Sequence, residues 1–153
     1  MNELLFFLLL FYLDVANVYS DIIKPNTKIE PYNVVEIQLI SLKNNDKPDK
    51  DFGIEQTWEF AHPENKMNTG PLNNFKKMLK NEIYSILLNH KDHKIEEIYN
   101  NKKIAIYDVI ILGSDNFYYE FKWQVERYNG KGSLNNCWLT TAVSNPVSLG
   151  ASI

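Results

Sequence analysis

"FYYEFKWQVERY" spans Phe117 to Tyr128, and its alternation decides the fold. Phe117, Tyr119, Phe121, Trp123 and Val125 fall on one side of an extended chain. Tyr118, Glu120, Lys122, Gln124 and Glu126 fall on the other. One apolar and one polar side at period two predicts an antiparallel strand with a single buried face. The neighbouring segments follow the same period. "IAIYDVIIL" (Ile104 to Leu112) precedes it and closes with "GSDN"; "KIEEIYN" (Lys94 to Asn100) comes earlier, with "NNKK" as its turn. Downstream, "NGKGSLNN" is a hairpin loop in which Asn129-Gly130 tolerates positive φ. "CWLTTAVS" (Cys137 to Ser144) is then the last strand, cut off by Pro146.

Before Lys94 the period is helical. In "YNVVEIQLISLK", Val35, Leu39 and Leu42 recur on one face, widened by Val34 and Ile37, and Pro31 suits the first turn. "IEQTWEFAH" (Ile54 to His62) puts Ile54, Trp58 and Ala61 on one side, and Pro63 stops it. "PENKMNTG" (Pro63 to Gly70) reads as a loop. Thr69 and Pro71 then open a third helix with Leu72, Phe75, Met78 and Leu79 as its apolar face. Helices followed by strands predict an α+β domain: three N-terminal helices packed on a curved, cone-like antiparallel sheet of four strands. The boundaries are a leader at 1–20, a linker at 21–31, one domain at 32–146 and a C-terminal tail at 147–153.

The 153 residues fit one domain, and 44% apolar residues are enough for a core. The net charge is −3, Arg127 is the one arginine, and no basic stripe appears, so nucleic acid is excluded as a partner. "LLFFLLLFYL" (Leu4 to Leu13) is too short to cross a bilayer but fits the apolar core of a secretory signal. "VYS" (Val18 to Ser20) supplies a peptidase exit, although Glu3 stands where a basic residue is usual. The expected location is the secretory pathway or an extracytoplasmic space. Plastid targeting and a leader-anchored membrane protein are the alternatives, and membrane contact is expected only through an uncleaved leader. Cys137 is the only cysteine, so the domain holds without an internal disulfide.

Few residues carry chemistry, and no catalytic residue is assigned. Cys137 has no base nearby in sequence and reads as a small buried hydrophobe. His90 and His93 in "HKDHK" lack a third converging ligand, so no metal site is assigned and the segment reads as a solvated loop. "NGKGS" lacks the Lys-Ser/Thr pair of a phosphate loop, and no cofactor is expected. The weak candidates for a pocket wall are Trp58, His62, Asp108, Tyr119, Phe121 and Trp123. His62 is equally a cap at a helix C-terminus.

Several short motifs resemble a domain-of-unknown-function family of plants, algae and bacteria. They are Gln38-Leu39 in the first helix, Asn45-Asp46 after it, Gly53-Ile54 and Phe60-Ala61 around the second, and Cys137-Trp138 with Thr140 in a late strand. That family is similar to the nuclear transport factor-like superfamily, a cone of helices on a bent sheet. The resemblance implies this fold and carries over no catalytic residues. Two functions follow as expectations: an exported, noncatalytic domain binding a small apolar molecule or a protein, or an isomerase- or hydratase-like enzyme with Asp108 and Tyr119 as its least unsuitable groups. A homodimer is left open.

Overall fold

The computed structural model describes residues 21–152. The leader at 1–20 lies outside the described residues. The sheet is built on three long strands: β1 (Asp92–Asn100), β2 (Ile104–Leu112) and β3 (Phe117–Arg127). All pairs are antiparallel, with Asp108 opposite Lys122 and Tyr107 opposite Trp123. Ala105, Tyr107, Val109 and Ile111 of β2, and Phe121, Trp123 and Val125 of β3, are buried on one face, but Phe117, expected with them, is exposed and Tyr119 is half-buried, because the helices do not cover that end of β3. Asp108 and Lys122 lie on the opposite face.

The sheet has five strands, one more than the sequence predicts. β4 (Trp138–Val143) pairs with the C-terminal half of β3, and β5 (Val147–Ala151) with its N-terminal half. The two form one interrupted edge along β3. Pro146 ends β4 because it has no N–H to give the ladder, but at an edge the chain resumes beyond it. Ser144 spans the gap, its N–H donating to Lys122 O at 2.9 Å and its hydroxyl accepting from Lys122 N at 2.8 Å. The segment read as a tail at 147–153 therefore supplies a strand. Register shifts at Glu97/Tyr99, Tyr118/Tyr119 and Gln124/Val125 bend the strands and curve the sheet.

Four α-helices precede the strands: α1 (Pro31–Lys43), α2 (Phe52–Glu59), α3 (Pro63–Thr69) and α4 (Leu72–Leu79), with a short 3₁₀ turn at Ser85–Leu87. Val34, Val35, Leu39 and Leu42 of α1 are fully buried in one core with the inner sheet residues. The extra helix, α3, occupies the segment read as a loop. His62 caps its start, the imidazole Nδ1 accepting from Glu64 N at 3.1 Å, and Pro63 sits in the first turn. Pro63 thus stops one helix and begins the next, and His62 is an N-terminal cap rather than a C-terminal one.

The turn from α1 to α2 is held by the Asn-Asp pair. Asn45 Oδ1 accepts from Ile54 N at 3.0 Å, and Asn45 O accepts from Gly53 N at 2.9 Å. Asp46 Oδ1 accepts from Asp51 N at 3.0 Å, fixing Asp51 at φ 65°. Lys80 donates to Asp51 Oδ2 at 2.7 Å and holds that carboxyl below the usual carboxylate range. Gly53 is required by proximity, since a Cβ there would lie 2.1 Å from Ser41 O.

Candidate functional site

Between α1, α2, α3 and α4 on one side and β4 on the other lies a cleft of about 300 Å³. Its floor is a polar knot in an apolar setting. Gln38 of α1 points inward at 1% exposure. Its Oε1 accepts from Trp123 Nε1 at 3.0 Å and from the Thr140 hydroxyl at 2.7 Å. Its Nε2 donates to Thr57 O at 3.1 Å. The amide orientation is fixed by chemistry, because an indole N–H only donates and a carbonyl only accepts. The second hydrogen on Nε2 has no partner among the described residues.

The walls are apolar: Leu42, Phe75, Met78, Leu79 and Leu87 from the helical side, Ala142 and Val143 from β4. Asn65, Thr69, Tyr84 and Thr141 add neutral polar groups around them. Asn65 Nδ2 donates to Thr140 O at 3.2 Å, and Thr69 donates to Asn65 O at 2.8 Å. The Tyr84 hydroxyl lies 3.3 Å from both Val143 O and Asn145 Oδ1. Sixteen residues line the cleft, and none carries a carboxylate, imidazole, amine, guanidinium or thiol.

The edge of β4 is closed by the chain between α2 and α3. Thr140 N donates to Phe60 O at 2.8 Å, and His62 N donates to Thr140 O at 2.8 Å. Ala61 and Thr140 thereby form a parallel bridge. Phe60-Ala61, Gln38 and Thr140, distant in sequence, meet at one place. Leu39 is fully buried in the core.

Of the six residues singled out as pocket walls, Trp123 lines this cleft. Phe121 is buried in the core beyond it. Trp58 packs on Phe75 at 5.0 Å between ring centroids, with Lys66 Nζ 5.3 Å from its own. Asp108 lies on the outer sheet face in an ion pair with Lys122 at 2.7 Å. The Tyr119 hydroxyl donates to Asp115 at 2.5 Å, far from the cleft lining. His62 lines a second, polar cleft of about 240 Å³ with Glu64, Asn68, Gln124 and Glu126; Asn65 and Thr141 line both clefts. Asn65 carries no signal in the sequence because α3 has no apolar stripe, and Thr69, expected to open the next helix, instead ends α3 with its hydroxyl bonded to Asn65 O, while Pro71 precedes α4.

Cys137 is fully buried, its thiol 3.6 Å from Ser133 O and pushed above its ordinary pKa by burial. Arg127 stacks on Trp138 at 5.0 Å, and the indole N–H of Trp138 is buried without a partner among the described residues. His90, read as solvated, is 2% exposed. Its Nδ1–H reaches Leu87 O at 2.7 Å, so its Nε2 accepts from His93 Nδ1 at 2.8 Å. Burial lowers its pKa to about 4. Among the described residues no group of three or more metal-ligating side chains converges, and no helix is long and apolar enough to cross a membrane. Comparison with known proteins finds no family model, curated protein or solved structure that matches this chain.

Proposed function

We propose that the chain is a noncatalytic module that binds a small apolar ligand in the cleft beneath α4. The observation that carries this reading is the cleft itself: about 300 Å³, apolar walls, a few neutral hydrogen-bonding groups and one spare donor on Gln38. That volume lies at the lower end of the range for ligand pockets, and a mostly apolar lining with few polar anchors is their usual composition. Acid–base catalysis needs a titratable group within hydrogen-bond reach of the reacting atom. The lining supplies none beyond the Tyr84 phenol, and Asp108, the acid an isomerase would use, is paired on the other face of the sheet. In this reading the helices and bent sheet form a cone of the nuclear transport factor-like kind, and the chain is exported through its leader.

The test is calorimetric titration of the purified chain with n-octanol, beside native mass spectrometry for a co-purified molecule. Ala142→Trp places an indole at an exposed position of the lining and should weaken octanol binding at least about tenfold while leaving thermal unfolding unchanged. Equal binding by both proteins would remove the cleft as the site.

A further inference from the structure

We propose that the natural ligand is an amphiphilic amine, its apolar body in the cleft and its ammonium head beside Asn65 and Thr141, facing Glu64 and Glu126. The inference rests on the binding reading above and extends it to the ligand's polar end.

The argument starts from the wall the two clefts share. Asn65 and Thr141 line both, so the apolar cavity adjoins the polar one directly. A molecule filling the first presents its outer end to the second. The charge there has one sign: Glu64 and Glu126 are its formally charged residues.

These two carboxylates are left without a cation. Six other carboxylates, Asp51, Glu55, Glu59, Asp92, Glu96 and Asp108, each have a lysine within ion-pair distance; what sets Glu64 and Glu126 apart from the remaining unpaired acids is that they share the polar cleft beside the apolar one. No lysine or arginine lies that close to Glu64 or Glu126 among the described residues. The nearest cations in sequence are engaged with aromatic faces, Lys66 over Trp58 at 5.3 Å and Arg127 over Trp138 at 5.0 Å. His62 Nδ1 already accepts from Glu64 N–H, so that nitrogen has no lone pair to offer. Gln124 donates to Thr141 Oγ1 at 3.2 Å and only distantly, at 3.5 Å, to Glu126.

An ammonium group fits this end for three reasons. Its positive charge opposes the negative charge of Glu64 and Glu126. Its three N–H donors match the surplus of acceptors: two carboxylates and the Asn65 and Asn68 amide oxygens. A carboxylate or phosphate head would meet like charge and find no cation to pair with.

The experiment compares three probes of one chain length on the full chain: n-octylamine, n-octanol and octanoate. Octylamine is expected to bind at least about tenfold tighter than octanol, with octanoate weakest, and raising the salt from 0.05 to 0.5 M should narrow the gap. The double variant Glu64→Gln/Glu126→Gln should bring octylamine down to the octanol value and leave octanol unchanged. Glu64 is exposed and Glu126 half-buried, and glutamine keeps the size of both side chains, so thermal unfolding of the double variant separates loss of charge from loss of fold. Equal affinity for amine and alcohol, or an amine preference that survives in the double variant, would overturn the head-group inference and leave the cleft reading standing. Failure of all three probes to bind, or binding that Ala142→Trp does not weaken, would overturn both.

Discussion

Replacing Gln38 by leucine tests the polar knot under the cleft. Leucine is close to glutamine in size and at least as good a helix former, so α1 itself should not suffer. What changes is the hydrogen-bond inventory. Trp123 Nε1, the Thr140 hydroxyl and Thr57 O lose partners at 3.0, 2.7 and 3.1 Å. All three residues are 5% exposed or less, so water does not replace what is lost. Trp123 and Thr140 retain a weak contact at 3.4 Å, which leaves two to three groups unsatisfied. At about 1–3 kcal/mol for each orphaned buried group, the loss is about 2–9 kcal/mol. Urea unfolding with an unchanged m-value measures it. Thr140→Val alone should cost less, since it removes a donor and leaves Gln38 Oε1 bonded to the indole. The double variant Gln38→Leu/Thr140→Val should fall short of the sum of the singles by about 1 kcal/mol, because both break the same bond. A Gln38→Leu cost below about 1 kcal/mol, or strict additivity, would refute the knot as a stabilising unit.

Gly53→Ala should destabilise by about 3 kcal/mol or prevent folding, although alanine is the better helix former, because its Cβ meets backbone atoms of α1 that have no freedom to move; thermal unfolding measures the sign and size. His90 has a folded pKa of about 4 against an ordinary 6.5, so its contribution is fully present above pH 6.5 and is lost as pH falls towards 4. The size is about 3 kcal/mol, and His93, also lowered, adds in the same direction; unfolding free energies measured from pH 7 to 4 should show a slope that shrinks in His90→Asn. Cys137 should react slowly with a thiol reagent at pH 7.5 and rapidly after denaturation, because burial both hides the sulfur and disfavours the thiolate.

Much of the fold is written in local periodicity. β2 buries every second residue and so does the C-terminal half of β3, so the face and the core members there follow from spacing alone, whereas Phe117 is exposed and Tyr119 half-buried at the end of β3 that pairs with β5; the fully buried apolar residues of α1 are its helical stripe. The missed elements lack such a stripe. α3 buries none of its residues, and its stability comes from the His62 cap and from Asn65 bonding β4. β5 leaves Val147 and Leu149 exposed and is specified by its ladder to β3, not by its own pattern. His90 sits in a hydrophilic pentapeptide, yet packing beside Leu87 and the end of α1 buries it. The site is the least local feature: Gln38 and Thr140 are 102 residues apart, and a cavity is set by how far helices stand from a strand.

The position of the cleft follows from the way the sheet manages its edge. A free β4 edge would offer unpaired N–H and C=O groups to any passing strand. Here Phe60 and His62 take both backbone groups of Thr140, and Asn65 adds a second donor to its carbonyl. This cover is one bridge long rather than a full strand, because Pro63 turns the chain away into α3. Beyond Thr140 no strand among the described residues is laid against this edge of β4, and the space beside Ala142 and Val143 is bounded instead by the side chains of α4 and Tyr84. The register shift at Gln124/Val125 brings consecutive residues Thr140 and Thr141 to the cleft lining. Thr140 ties the floor to Gln38, while Thr141 reaches the polar neighbour. A cover long enough to protect the whole edge would have filled the cleft; a cover of one bridge protects the strand at its centre and leaves a lined opening beside it.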